Sequence, residues 1–228
     1  MLSRMISTAL IAGVFAGLCL FLVQRSLTLP VIHKAETFEK AMSNESAPDP
    51  FASEPMRSLL TLLGDVFVGI GFGLILTGVF ALTGREGWLA GLLFGAAGFA
   101  VFHAAPAMVV PPAVPGMEVA PLLLRQIGWL AAAVSAIVGI AAIYRARGPA
   151  RLAGILVIAL APMVFRTVLP IAPAHTSSQA LAAIDQIFII RALASMLTFW
   201  LIIGIAAGYL FARSRKNATT LGFADGRT

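Results

Sequence analysis

Apolar positions in this chain come in long unbroken runs, not in the alternation of a half-buried strand or the narrow stripe of a soluble helix. Six stretches, about 6–25, 58–83, 87–108, 122–144, 151–170 and 187–211, are each apolar over roughly the 20 residues a helix needs to cross a bilayer. They predict an all-α integral membrane protein, a polytopic bundle of about six transmembrane helices. The count falls to five if the first run is cleaved as a signal or the last outer segment is re-entrant. That first run is longer than the roughly 7–15-residue core of a signal peptide and no A-x-A site follows it, so it reads as a retained helix. A single polytopic domain is expected over 1–213, with an outer loop at 26–57, a Pro-rich outer segment at 106–121 and a short basic cytoplasmic tail at 214–228.

The polar interruptions orient the helices. Arg4, Arg85, the Arg145, Arg147 and Arg151 cluster, and Arg213, Arg215 and Lys216 all fall at helix ends or in short connections on one side. Basic residues so placed mark the cytoplasmic face, so both termini are expected inside a cell (cytoplasmic) membrane. The long loop opposite dilutes Arg25, Lys34, Lys40 and Arg57 among Glu36, Glu39, Glu45, Asp49 and Glu54.

Composition agrees with lipid as solvent. The 228 residues are 59% hydrophobic and 11% charged, against about 25% charged in soluble domains. The net charge of +6 sits at span ends, where it reads as topology and attraction to anionic lipid, not as a nucleic-acid surface. A lone Cys19 removes any disulfide within the chain and any CxxC zinc site. No GxxxxGK[ST] loop, HExxH pair or Ser/His/Asp arrangement is present, so the expectation is not an enzyme and no permanently bound cofactor.

Small residues at four-residue spacing signpost helix packing. Gly87, Gly91 and Gly95 form a double GxxxG ridge, Gly13/Gly17 and Gly204/Gly208 repeat it, and GIGFG (Gly69 to Gly73) is richer still.

The candidate metal ligands, His33, Glu36, Glu39, His103 and His175, collect on the outer side. His33 lies in the first outer loop, His103 near the outer end of the third span and His175 in the loop before the last. In LPVIHKAETFEKA, Pro30 suits a helix start. Val31, Ile32, Ala35 and Phe38 then share one face of a short amphipathic outer helix, with His33, Glu36 and Lys40 on the other. His33 and Glu36, three apart, can offer an imidazole nitrogen and a carboxylate to one ion, with Glu39 three further on. The alternative is a solvated polar face. Asp65, Arg166 and Arg191 are charges inside apolar runs, costly in lipid unless paired or facing water. Asp65 with Arg166 or Arg191 is a candidate ion pair, or part of a substrate path. In FHAAPAMVVPPAVPGMEVAPLLLRQ, five prolines break helix between His103, Met108, Met117 and Glu118. Irregular backbone at that depth either lines a cavity or forms a stiff turn outside the membrane. Pro162 is expected to kink the fifth span beside Met163.

Three segments together resemble the CbtA family of proposed bacterial cobalt transporter subunits: LPVIHKAETFE, AGFAVFHAAPAMVVPPAVPGM followed by Arg125 and Gln126, and IIRALASMLTFWLIIG. The PP-x-x-PG segment, with Pro111, Pro112, Pro115 and Gly116, is its most specific part. The resemblance implies uptake of Co²⁺ linked to cobalamin biosynthesis. It also implies a small single-span, histidine-rich partner, CbtB-like. His33, Glu36, Glu39, His103, Pro111, Pro112, Pro115, Gly116, Arg125 and Gln126 are the positions that match the family pattern. The first outer loop, SNESAPDPFASEP, lacks the histidine or acidic runs common in the family, and Met163 stands where a histidine often follows the proline. Nickel or another divalent ion is therefore compatible as well. The expected function is a membrane subunit of a divalent transition-metal importer, capturing the ion outside the cell. A non-transporting membrane scaffold, or a carrier of an organic solute, is the competing reading, and a homo-oligomer is compatible with each.

Overall fold

The computed structural model describes residues 2–42 and 53–225. Among these the chain is helical, with no strand: α1 Leu2–Leu27, α2 Leu29–Met42, α3 Glu54–Thr83, α4 Trp88–Phe99, α5 Ala105–Val109, α6 Leu122–Arg145, α7 Arg151–Val168 and α8 Gln179–Asp225. A π turn, Ala100–Ala104, leads from α4 into α5. Six helical segments are long and apolar enough to span a bilayer, the third being Trp88–Val109 and the last Gln179–Arg215. The expected all-α membrane protein with six spans is what folds. Of the predicted outer loop, residues 43–52 lie outside the described residues, whereas the predicted tail region continues α8 as helix through Asp225.

The chain divides into two compact units, one of Met1–Val23, Ala47–Ala96 and Leu197–Thr228, the other of Gln24–Ser46 and Ala97–Met196. In the first, the burial pattern is the reverse of a soluble bundle. Ala9, Ala12, Gly13, Ala16 and Gly17 are buried in α1, while Ile11, Phe15 and Leu22 are exposed. Large side chains face lipid because lipid solvates them as well as protein does, and small ones let backbones close up.

The glycine ridges find specific mates. Gly13 and Gly17 of α1 meet α3: a Cβ on Gly13 would lie 2.5 Å from Ile70 N, and one on Gly17 would lie 2.6 Å from the Asp65 carbonyl oxygen. A Cβ on Gly73 would lie 2.9 Å from the Ala9 carbonyl oxygen. On the other side of the unit, Gly91 and Gly95 of α4 meet Gly204 and Gly208 of α8, and a Cβ on Gly208 would lie 2.9 Å from Gly91 Cα. Gly87 N–H, in the turn just before α4, donates to Gly208 O of α8 at 3.0 Å, a backbone bond that only such close contact allows. A Cβ added at Gly71, between Gly69 and Gly73, would meet nothing outside its own helix within 4 Å. Aromatic rings fill the remaining space: Phe72 against Trp200 at 4.6 Å, and Phe80 against Phe94 and Phe211, both at 5.7 Å.

At one end of this unit the polar groups gather. Arg215 of α8 pairs with Glu86 of the α3–α4 turn at 2.6 Å, and Arg4 stacks 3.9 Å over the Phe211 ring. Arg4, the turn that carries Arg85, and the basic stretch of α8 thus share one end, as the charge pattern predicts.

The second unit is built on the α6–α7 hairpin. Gly139 and Gly154 bring its two helices together, a Cβ on Gly154 falling 3.0 Å from Ile143 N. Buried Val101, Val109, Ala132, Ala133, Ala136 and Ile171 form its core. A second cluster holds α2 in place: Val31 and Ala35 meet Val114, Leu181 and Ile184, with Phe38 at the margin. The apolar face of LPVIHKAETFEKA is therefore the one the periodicity predicts, and it is covered by protein. Thr28 starts α2 by accepting from the N–H groups of Val31 and Ile32, so that Pro30, lacking a donor, occupies a first-turn position. At the other end of α1, Arg191 of α8 donates to the Leu27 carbonyl at 3.2 Å, a cation satisfying an orphan acceptor at a helix C-terminus.

Candidate functional site

The irregular backbone of the second unit begins at a proline. Pro106 has no N–H to return to the residue four before it, and its ring would crowd that carbonyl. The preceding turn widens to the π form, with Ala105 N–H bonded to Ala100 O. Such widened turns recur at functional sites. Here the turn holds His103, whose ring stacks on Phe99 at 6.2 Å with planes 4° apart.

From Val110 the chain leaves the helix and crosses to α6 through Pro111, Pro112 and the Val114–Pro115–Gly116–Met117 turn. Met117 N–H returns to Val114 O at 3.4 Å, and Gly116 has φ +84°. Proline at the second position and a positive-φ glycine at the third are what a type II turn requires. This gives the PG of the sequence motif a physical reason. The turn also presses on α2 and α8: a Cβ on Gly116 would lie 3.3 Å from Leu181 Cδ2 and 3.5 Å from Glu39 Cβ.

The prolines leave few donors to satisfy, and the buried one is met by Asp185. Its Oδ1 accepts from Val114 N–H at 2.9 Å, and Asp185 is only 3% exposed. Sequence reasoning passed over this residue. The signal was present, since Asp185 is a lone acid in the apolar run LAAIDQIFII, as Asp65 is in its own.

The segment walls a cavity of about 530 Å³, open at one side, within the range of small-ligand sites. His103, Pro111, Pro112, Arg125 and Gln126 line it together, with Trp129 and Met196. Five of the sequence-predicted positions, all from the one segment 102–126, thus converge on one space. Arg125 also borders a second cavity of about 30 Å³, where Arg166 joins it.

The other predicted residues lie elsewhere. His33 and Glu36 are half-buried on α2, and Glu39 is exposed there beside Gly116. Asp65 is buried in α3 of the first unit; Arg166 and Arg191 belong to the second. His175 sits in the α7–α8 connection, opposite Glu118. The two residues exchange backbone hydrogen bonds, Glu118 N to His175 O at 2.9 Å and His175 N to Glu118 O at 3.0 Å. Their side chains meet as well, His175 Nε2 to Glu118 Oε2 at 3.0 Å, and His175 Nδ1 lies 3.3 Å from Pro173 O. Among the described residues, no three His, Cys, Asp or Glu side chains come close enough to hold one ion. The three histidines occupy three distinct places: α2, the cavity wall and the α7–α8 connection.

No curated protein and no solved structure matches this chain. One family model does, described as a probable cobalt transporter subunit (CbtA), and it matches residues 2–212. A match over nearly the whole of a six-span chain, including the Pro-rich wall of the cavity, settles its kinship: the protein belongs to the CbtA family.

Proposed function

We propose that this chain is the membrane subunit of an importer for a divalent transition metal, with Co²⁺ as cargo, and that it takes the ion from the extracytoplasmic side. The observation that carries the reading is the family match across residues 2–212. The geometry of the second unit supports it. The cavity at one end of α6 offers His103 as a nitrogen ligand inside a largely apolar wall, and neutral imidazole suits Co²⁺, Ni²⁺ and Zn²⁺ better than Mg²⁺ or Ca²⁺. Arg125 places positive charge on the same wall, so a dication is expected near His103 and away from the guanidinium.

Sidedness follows from the basic ends. Arg145 and Arg151 lie at the far end of the α6–α7 hairpin from the Pro-rich segment, about 36 Å away along α6 at 1.5 Å per residue. Basic short connections face the cytoplasm, which puts the cavity and the Glu118–His175 pair outside and both termini inside. A family of subunits implies a partner protein; a small single-span chain with a histidine-rich end is the one proposed.

Labelled-cobalt uptake, in cells lacking other cobalt importers, tests the reading. The intact chain, supplied with the histidine-rich partner, is expected to raise uptake. His103→Ala, present in the membrane at the same level, is expected to lower it by about tenfold or more, the usual cost of losing a metal ligand or its support. Uptake that never rises, even with the partner, removes the importer reading and favours a scaffold. Uptake of an organic solute, indifferent to chelator, removes the metal.

A further inference from the structure

Glu118 and His175 are held face to face by backbone, with no help from their side chains. The reciprocal bonds between them form one closed antiparallel pair, in which opposed side chains project from the same face. An exposed imidazolium–carboxylate pair contributes little to stability, and the backbone bridge already joins the two loops. The side-chain pairing is thus not needed to explain the fold.

The ring's proton pattern points elsewhere. Pro173 O is a carbonyl and can only accept, so Nδ1 carries the proton in the 3.3 Å contact. In the neutral ring, Nε2 then presents a lone pair toward Glu118 Oε2, 3.0 Å away. Two acceptors at that distance repel unless a proton or a cation lies between them. A second-nitrogen bond to a backbone carbonyl is also the usual way a metal-binding imidazole is oriented.

The 3.0 Å separation is that of an ordinary hydrogen-bonded pair, and it equally fits one metal geometry. Bonds of about 2.1 Å at the right angles of an octahedron put adjacent donors about 3.0 Å apart, whereas a tetrahedron spreads them to about 3.4 Å. We infer that Glu118 and His175 form a two-donor site for a hydrated divalent transition-metal ion. The ion keeps about four waters, exchanges two for Nε2 and Oε2, and displaces to water any proton the pair shares. Both side chains are well exposed, so an ion arrives without dehydrating fully and leaves as easily, which suits a first foothold. The nitrogen donor discriminates against Mg²⁺ and Ca²⁺, which prefer oxygen alone. The ion's place on an uptake path rests on the importer reading above; its binding does not.

Three histidines give three ring signals by nuclear magnetic resonance, assigned by substituting each in turn. In the purified full chain, Co²⁺ alone is expected to broaden the His175 signal before those of His33 and His103, while Mg²⁺ leaves it unchanged. Glu118→Gln is expected to weaken this binding about tenfold, with the fold intact because the backbone bridge survives. The inference is overturned if another histidine responds first, or if Glu118→Gln binds Co²⁺ as well as the intact chain. Uptake separates the two claims. Co²⁺ binding at His175 in a chain that never imports would keep the site and remove the importer. Import unaffected by Glu118→Gln, with no binding at His175, would do the reverse.

Discussion

The two compact units of this protein solve the same problem by opposite means. The first is joined by glycine ridges that bring helix backbones into contact, and Gly87, just before α4, even bonds Gly208 of α8 directly. The second keeps one glycine-tight hairpin and spends the rest of its chain on irregular backbone: a π turn, a proline-locked crossing and two bridged loops. In lipid no hydrophobic force draws helices together, so close packing supplies the cohesion. Broken helix is tolerated only where other protein groups or a cavity satisfy it. The difference teaches where chemistry can live. Regular helices in glycine contact leave no room for a ligand, while the proline segment, anchored by Asp185, walls a cavity of about 530 Å³.

That comparison can be broken most severely at the ridges. Gly91→Leu or Gly204→Leu drives a side chain into the facing backbone, with a cost expected beyond about 3 kcal/mol, the upper end of ordinary overpacking. Thermal unfolding in detergent would show it as a large loss of midpoint temperature. Gly71→Ala is the matching control. It meets nothing within 4 Å, so it is expected to be neutral or to stabilise by about 0.5–1 kcal/mol, as alanine does over glycine in a helix.

In the second unit, Asp185→Ala should leave the buried Val114 N–H unmet, at about 1.5–3 kcal/mol for a bond to a charged acceptor. Asp185→Asn, which retains an acceptor oxygen, should cost less. Hydrogen exchange at the Val114 amide reads the difference, with fast exchange expected only in the alanine variant. Gly116→Ala is smaller again, about 1–2 kcal/mol for a side chain at φ +84°. Smallest of all, Glu118→Gln should change stability by less than about 1 kcal/mol, as surface pairs do, while weakening Co²⁺ binding. A large loss of stability there would make the pair structural.

The spans were legible because lipid imposes one requirement, about 20 apolar residues, that sequence displays openly. Their ends were less so. The last apolar run begins at 187, yet α8 starts at Gln179, because Ser178 Oγ caps it by accepting from Leu181 N–H at 3.3 Å. Hydropathy stopped short at Asp185 and Gln186, and the serine cap was the overlooked cue. The ridges were visible but their pairing was not: Gly13 and Gly17 could have met any helix, and only the fold brings them to α3. The same limit hid the site. The proline segment was readable as cavity wall, since prolines near membrane depth need a reason. Nothing local links Glu118 to His175, which lie on different loops, or predicts that His33, His103 and His175 would part company.

On the proposed function, metal passage depends on the irregular unit and not on the glycine-joined one. The decisive measurement is cobalt influx into proteoliposomes holding the chain and the proposed histidine-rich partner, with His103→Ala and Gly71→Ala measured side by side. Influx about tenfold lower for His103→Ala, with Gly71→Ala equal to the intact chain, is the expected result. Equal influx in all three, or no influx in any, would contradict it.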